Sequence, residues 1–169
     1  LYNLAQSNLL SREFAIVGFS RMPQTSEASR AQLAEDMKMF VSGGAVDPEI
    51  WDWLARRIYY VSGEFNDPAA YQRLRDTLTQ VDADHCTHGN YFYYLAVAPG
   101  FCGEIVPHLA PAGLTSEDNG RWRRVIIEKP FGRDLESARA LNAEIKSVLN
   151  ERQIYRIDHY LGKETVQNL

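Results

Sequence analysis

A polar stretch near the end of the chain, residues 156–164 (RIDHYLGKE), contains side-chain types that bind phosphate and transfer protons. His159, Tyr160 and Lys163 can all donate hydrogen bonds to a phosphate, and charge-assisted bonds of this kind are stronger than neutral ones. Asp158 could orient a histidine base, as carboxylates do in catalytic pairs. A polar turn between a strand and a helix is the simpler alternative, but these residue types in this order favour a phosphate-binding site.

A lysine in a second short stretch, residues 128–132 (EKPFG), is the other candidate for chemistry. Lys129 follows a strand-like run, where it could contact a substrate hydroxyl and a cofactor at once. Pro130 restricts the residue before it to extended conformations, which would hold the lysine backbone in place. A lysine in an ordinary turn is the alternative.

Three other polar clusters have simpler structural interpretations. Residues 85–88 (HCTH) contain metal-ligand types, but structural zinc usually needs two spaced pairs of ligands, so we predict a loop and no metal. Residues 121–124 (RWRR) superficially suggest nucleic-acid binding, yet an isolated basic and aromatic patch is more often an ordinary surface. Residues 115–120 are predicted to form a solvated turn.

The composition indicates a globular domain rather than a membrane or nucleic-acid-binding chain. The 169 residues are 45% hydrophobic, and no apolar run approaches the roughly 18 residues of a membrane span. The 18 basic and 22 acidic residues give a net charge of −4, which argues against a broad nucleic-acid surface and favours a small-molecule partner. The two cysteines form no spaced framework, so we expect reduced thiols and a cytoplasmic location.

Strand-like and helix-like segments alternate along the chain. Short apolar runs predict buried strands, at residues 14–19, 58–61, 91–98, 125–127 and 154–157. Helices are predicted where apolar residues recur at helical spacing. Asp-Pro pairs predict helix starts, because aspartate can cap the free N–H groups and proline suits the first helical position. The predicted helices are residues 33–41 ended by Gly43-Gly44, two that begin at Asp47-Pro48 and Asp67-Pro68, residues 101–109, and residues 135–148 capped by Asp134.

This alternation predicts an α/β fold with a doubly wound, parallel, Rossmann-like sheet, because parallel neighbours need crossover connections. Such sheets bind ligands beyond the carboxyl ends of their strands, and Arg21, Lys129 and residues 158–160 all follow predicted strands. An arginine after the second strand of a dinucleotide-binding fold can bind an adenosine ribose phosphate. A surface salt bridge is an equal alternative for Arg21.

The same residues resemble the signatures of the glucose-6-phosphate dehydrogenase family. RIDHYLGKE resembles its active-site motif, and EKPFG resembles a second motif. The EKP part of the second motif also occurs in sugar oxidoreductases of the glucose-fructose type. Residues 16–21 (IVGFSR) resemble the family's second strand with its cofactor-phosphate arginine, and residues 94–99 (YLAVAP) resemble a region near the nicotinamide. The order and spacing of these segments fit the family over essentially the whole chain.

The resemblance implies oxidation of glucose 6-phosphate to 6-phosphogluconolactone with hydride transfer to NADP. It suggests that Arg21 binds the NADP 2′-phosphate, that Tyr94 lies near the cofactor, and that Lys129 contacts both substrate and cofactor. The resemblance implies that Asp158 and Lys129 are catalytic residues. Asp158 would support a histidine base that the family carries in a downstream domain. The substrate phosphate would be bound by His159, Tyr160 and Lys163.

Measured against the family, the chain lacks the first strand and its glycine-rich turn. We therefore expect residues 1–169 to be a partial dinucleotide-binding domain, inactive alone, with the substrate and oligomerisation domain outside this chain. We expect the full-length protein to be a homo-oligomer, and neither nucleic acid nor membrane to be a partner. Two alternatives stay open, a sugar oxidoreductase of the glucose-fructose type and a non-catalytic nucleotide-binding module.

Overall fold

The computed structural model describes residues 1–40 and 45–157. The chain divides into two compact units, the first from Leu1 to His88 and the second beginning at Gly89. Each unit contains its own parallel sheet with helices between the strands. The α/β fold with parallel strands, predicted from the sequence, is confirmed, and the strands pair within one two-stranded and one three-stranded sheet.

Within residues 1–40 and 45–88, the first unit holds a two-stranded parallel sheet and four helices. Strand β1 pairs with β2 so that Gly18 lies opposite Tyr60. A cluster of buried side chains, Tyr2, Leu54 and Ile58, forms part of its core. Fully burying one such side chain stabilises a fold by about 1.5–3 kcal/mol. The elements are α1 (Tyr2–Gln6), β1 (Ile16–Ser20), α2 (Ser26–Phe40), α3 (Pro48–Ala55), β2 (Ile58–Ser62) and α4 (Pro68–His85).

Two helices of the first unit begin as predicted. The Asp47 carboxylate accepts a hydrogen bond from the backbone N–H of Glu49 at 2.9 Å, and Asp67 does the same for Ala69 at 2.9 Å. Each aspartate is followed by proline at the start of its helix. The described part of α2 reaches Phe40, so its predicted stop at Gly43-Gly44 lies outside the described residues.

The second unit holds a three-stranded parallel sheet with β4 at its centre, in the order β3-β4-β5. Its elements are β3 (Tyr91–Leu95), α5 (Pro99–Leu109), a 3-10 turn (Asp118–Gly120), β4 (Arg123–Glu128), α6 (Leu135–Lys146), a second 3-10 turn (Glu151–Gln153) and β5 (Ile154–Ile157). Asp134 caps α6 as predicted, because its carboxylate accepts from the Ser137 N–H at 2.8 Å and the Ser137 hydroxyl accepts from the Asp134 N–H at 3.1 Å.

The third strand is shorter than its sequence indicates. The aromatic and aliphatic run predicted a strand over residues 91–98, but β3 ends at Leu95. The next helix begins at Pro99 rather than at residue 101, because proline is well suited to the first helical position. Three residues therefore form the connection instead of extending the strand.

The sheet of the second unit has a covered and an open face. Val125 and Ile127 of β4 are buried at 0% and 2% exposure, and Ile127 faces Leu141 and Ile145 of α6. On the other face, aromatic side chains are about half exposed, at Phe92 (55%), Tyr94 (51%) and Tyr155 (48%). Among the helices within residues 1–40 and 45–157, none combines the length and apolar character needed to cross a bilayer.

Candidate functional site

The carboxyl ends of β4 and β5 lie side by side and place Lys129 at the carboxyl end of the sheet. Glu128 is opposite Ile157 in the strand register, and the Lys129 N–H donates to the Ile157 carbonyl at 3.3 Å. The peptide bond between Lys129 and Pro130 is cis. The last described residue of β5 is thus a direct backbone neighbour of the predicted catalytic lysine. Four other predicted site residues lie outside the described residues, namely Asp158, His159, Tyr160 and Lys163.

Tyr94 lies on β3, next to β4, near the same carboxyl end of the sheet. Its partner in the register is Ile126, two residues before Glu128, so the Tyr94 and Glu128 side chains project on the same face. The Tyr94 hydroxyl donates a hydrogen bond to the Glu128 carboxylate. This hydrogen bond, helped by desolvation, raises the pKa of Tyr94 above its ordinary value. The phenol is therefore a neutral donor engaged by a carboxylate across the strands.

The turn after Lys129 is shaped by a glycine. Gly132 has a φ of 143°, and a Cβ atom there would lie 2.6 Å from the Ala138 backbone nitrogen. Only glycine fits this close approach to the first turn of α6. Phe131 then lines a small apolar pocket with Ala138 and Leu141 of that helix. The turn is fixed by packing against α6, which explains why Phe131 and Gly132 follow the lysine.

Arg156, the first residue of the RIDHYLGKE stretch, has a structural role in the second unit. Its guanidinium donates to the Glu151 carboxylate at 2.6 Å and to the Asn142 side chain of α6. It also lines the pocket that contains Phe131. Arg156 therefore ties β5 to α6 on the covered face of the sheet.

Arg21 follows β1 directly and lies at the start of the loop that leads into α2. Its guanidinium carbon is 5.5 Å from the centroid of the Phe65 ring. Phe65 is only 7% exposed and packs edge-on against Phe19 of β1, with ring centroids 5.7 Å apart. Arg21 itself is exposed. A guanidinium that stacks on an aromatic ring can also bind an anion through its N–H donors.

One basic residue predicted to lie on an ordinary surface is buried. Arg123 is 4% exposed, its guanidinium carbon lies 4.0 Å from the Tyr91 ring centroid, and it donates to the Trp122 carbonyl at 3.0 Å and to the Gly89 carbonyl. For this residue the surface prediction was wrong. The stacking and the two carbonyl acceptors compensate a charge that would otherwise be costly to bury.

The predicted solvated turn at residues 115–120 contains a partly buried ion-pair centre. The Glu117 side chain is 14% exposed, pairs with Arg124 and with Arg152 at 2.9 Å, and accepts from the Arg123 N–H at 3.0 Å. The backbone hydrogen bond from Arg123, together with the bond and charge of Arg124, lowers the pKa of Glu117. The turn is therefore fixed to β4 rather than simply solvated.

The histidines of residues 85–88 make separate contacts. His85 Nε2 lies 2.9 Å from the Tyr59 hydroxyl, and burial lowers the pKa of His85. His88 Nε2 lies 3.4 Å from the Glu13 carboxylate. Within residues 1–40 and 45–157, no cluster of three or more histidine, cysteine or acidic side chains is arranged to hold a metal ion.

Comparisons with known proteins identify the family of the chain over essentially its whole length. The family model described as "Glucose-6-phosphate dehydrogenase, NAD binding domain" matches residues 1–168. The chain is 40% identical over 172 residues to glucose-6-phosphate 1-dehydrogenase of Chlamydia muridarum and 41% identical over 169 residues to that of Bacillus subtilis. Each match covers 100% of this chain but 34% and 33% of the relatives, so the chain spans about a third of their length.

Two solved structures share the fold. A glucose-6-phosphate dehydrogenase in complex with its substrate glucose 6-phosphate superposes with a TM-score of 0.82 at 29% identity, covering 99% of this chain and 34% of that chain. The glucose-6-phosphate 1-dehydrogenase of Mycobacterium avium gives a TM-score of 0.78 at 36% identity, covering 98% and 33%. The chain belongs to the glucose-6-phosphate dehydrogenase family, within its NAD-binding domain.

Proposed function

We propose that the protein carrying this chain oxidises glucose 6-phosphate to 6-phosphogluconolactone and transfers the hydride to NADP. The observation that carries this proposal is the family match over residues 1–168, with Lys129 at the edge where β4 and β5 end together. Ligands of parallel α/β sheets bind beyond this edge. The substrate named for one solved relative, glucose 6-phosphate, supports the same choice of sugar.

On the substrate side, we assign Lys129 to a position shared by sugar and cofactor. A lysine there can donate to a sugar hydroxyl and hold it near the hydride acceptor, which lowers the entropic cost of reaching the reactive geometry. Asp158 would orient the histidine base and stabilise its protonated form. The substrate phosphate would be bound by His159, Tyr160 and Lys163. These assignments rest on the matching motif and on the backbone contact between Lys129 and Ile157.

On the cofactor side, the chemistry of the described residues fits a phosphorylated dinucleotide. Arg21 is an exposed guanidinium next to a buried aromatic ring, which suits a dianionic 2′-phosphate. Tyr94 is a neutral phenol whose pKa is raised further by its hydrogen bond to Glu128, so it can lie near the nicotinamide without adding a charge. NADP, when bound, supplies the acceptor for the hydride. Arg21, Tyr94 and Lys129 are the residues of this chain that we assign to it.

We further propose that the complete protein is a cytoplasmic homo-oligomer with a second domain that carries the base. The support is the family resemblance and the fraction of the relatives' length that this chain spans, 33% to 34%. Light scattering of the purified complete protein should give a mass that is a multiple of one chain. A monomeric mass would contradict the oligomer.

The proposed reaction is tested on the complete protein by following NADPH formation with glucose 6-phosphate and NADP. Lys129→Ala should lower kcat/KM by about 10²-fold or more, because a donor aimed at the reacting group is lost. The matched control is Lys146→Ala, which removes a lysine from the last turn of α6 that pairs with Glu151 at 3.6 Å. Equal activity of Lys129→Ala and the control would contradict the role of Lys129.

The same assay separates the two alternatives. Turnover of unphosphorylated glucose at the rate of glucose 6-phosphate would favour a sugar oxidoreductase of the glucose-fructose type, since that substrate lacks the phosphate. Binding of NADP without turnover of either sugar would favour a non-catalytic nucleotide-binding module. Turnover that requires both the sugar phosphate and NADP supports the proposal.

A further inference from the structure

Tyr60, on the neighbouring strand β2, makes two hydrogen bonds to the loop that carries Arg21. The Tyr60 backbone N–H donates to the Ser26 hydroxyl at 2.9 Å, at the end of the loop where α2 begins. The Tyr60 hydroxyl donates to the Met22 carbonyl at 2.9 Å, near the start of the loop. Tyr60 therefore contacts both ends of the segment between β1 and α2.

Gly18 leaves space beside the Tyr60 ring. Gly18 lies opposite Tyr60 in the parallel register, and a Cβ atom added to it would be 3.3 Å from Cδ2 of the Tyr60 ring. The ring thus occupies space that a side chain on β1 would take. A glycine within a strand commonly marks such a close approach.

At Met22, the start of the loop is held by hydrogen bonds rather than by burial. Met22 is 65% exposed, so its side chain contributes little packing. Its N–H donates to the Ser20 hydroxyl at a long 3.4 Å, while its carbonyl receives the shorter bond from Tyr60. Met22 follows Arg21 directly, so the bond from Tyr60 to the Met22 carbonyl fixes the Met22–Pro23 peptide, one residue beyond the arginine.

We propose that Tyr60 is a positioning residue that holds the Arg21 loop and thereby sets the preference for a 2′-phosphorylated dinucleotide. This inference rests on the proposed function, in which Arg21 binds the NADP 2′-phosphate. A guanidinium discriminates by geometry as well as by charge, because its donors must be aligned with the phosphate oxygens. Loss of the Tyr60 hydroxyl leaves Arg21 present but allows its backbone to move. The affinity for NADP should then fall while that for NAD stays, since NAD has no 2′-phosphate to lose.

The test is direct binding, measured by titration calorimetry on the complete protein. Tyr60→Phe removes only the hydroxyl and should raise the Kd for NADP by about 3- to 10-fold, with the Kd for NAD changed by less than about twofold. The matched control is Tyr59→Phe on the same strand. The Tyr59 hydroxyl lies 2.9 Å from His85 Nε2 instead of reaching the loop, so this variant should change neither Kd.

A second variant disturbs the position of the Tyr60 ring without removing its hydroxyl. Gly18→Ala places a methyl group against the Tyr60 ring and should shift the ratio of the two Kd values in the same direction as Tyr60→Phe. Thermal melting of each variant identifies any general loss of stability. An equal loss of affinity for both dinucleotides, or no loss for either, would overturn the positioning role.

Arg21→Ala distinguishes failure of this inference from failure of the proposed function. If Arg21→Ala weakens NADP selectively and Tyr60→Phe does not, the role of Tyr60 is wrong and the role of Arg21 stands. If Arg21→Ala leaves the ratio of the two Kd values unchanged, both roles are wrong, although NADPH formation could still establish the reaction. In the Arg21→Ala background, adding Tyr60→Phe should produce no further change in the ratio, because the two residues act on the same phosphate contact.

Discussion

At the scale of single residues, the hydrogen bond to Glu128 raises the pKa of Tyr94 near the carboxyl end of the second sheet. Replacing Glu128 with alanine removes the hydrogen-bond acceptor and the negative charge that raise the pKa of Tyr94. We therefore expect the Tyr94 pKa to fall toward its ordinary value in Glu128→Ala. The measurement is a tyrosinate titration by NMR with labelled tyrosine, in which Tyr94→Phe identifies the resonance.

The control for this prediction is another glutamate of the same unit. Glu136 lies in the first turn of α6, and Glu136→Ala should leave the Tyr94 titration as it is. A Tyr94 pKa that does not change in Glu128→Ala would show that desolvation, rather than the carboxylate, raises the pKa of the phenol.

The sequence indicated some of these residues but not their partners. Lys129 and Tyr94 were predicted from motifs, whereas the bond of Glu128 to Tyr94 crosses two strands and the bond of Tyr60 to Met22 joins a strand to a loop. The local sequence does not reveal the strand register on which both bonds depend. Arg123 was assigned to the surface because three arginines in four residues give no sign of which one points inward. Its burial depends on Tyr91, a residue on another strand.

At the scale of single elements, the cap of α3 should contribute measurably to the stability of the first unit. The Asp47 carboxylate accepts from the N–H groups of Glu49 at 2.9 Å and Ile50 at 3.4 Å. Asp47→Ala should lower the free energy of unfolding by about 1 kcal/mol, because two helical donors lose their acceptor. Asp47→Asn keeps an acceptor and should lose much less.

The measurement is urea unfolding followed by tryptophan fluorescence. Trp51 and Trp53 lie within α3, so in the 169-residue chain a Trp122→Phe background leaves only tryptophans that report on the first unit. Asp47→Ala and Asp47→Asn with the same unfolding midpoint would contradict a capping role for the carboxylate.

Element types were more predictable than element ends. Asp47, Asp67 and Asp134 all begin helices as expected, since a cap and its helix are close in sequence. The end of β3 at Leu95 was missed, because the apolar run continues to Ala98 while the chain has already turned toward α5. A local preference of this kind is weaker than the tertiary contacts that end a strand.

At the scale of the whole molecule, alternating strands and helices predicted parallel pairing, and every described strand pair is parallel. Which strands pair was not predictable in the same way. Local patterns report whether a segment is buried and extended, but they do not encode its neighbours. The division into a β1-β2 sheet and a β3-β4-β5 sheet therefore emerges only in the structure.

The two units differ in the number of carboxylates whose pKa is lowered. Hydrogen bonds lower the pKa of three carboxylates in the second unit, Glu117, Asp134 and Glu151, but of Glu27 alone among the described carboxylates of the first. A carboxylate whose folded-state pKa is depressed adds stability above its unfolded pKa, which for glutamate is 4.5. That stability is lost as the pH falls through the lower, folded-state pKa. The second unit should therefore lose more stability than the first over this window.

Glu117 provides the sharpest test of this acid sensitivity. Glu117→Gln removes the charge that pairs with Arg124 and Arg152, so the second unit should be less stable at pH 7 and should lose less stability between about pH 5 and 3. Melting is followed through Trp122, with Trp51 and Trp53 replaced by phenylalanine. The control Glu136→Gln should keep the steep acid dependence of the parent protein. If Glu117→Gln keeps that steep dependence as well, the ionised Glu117 is not what stabilises the turn against β4.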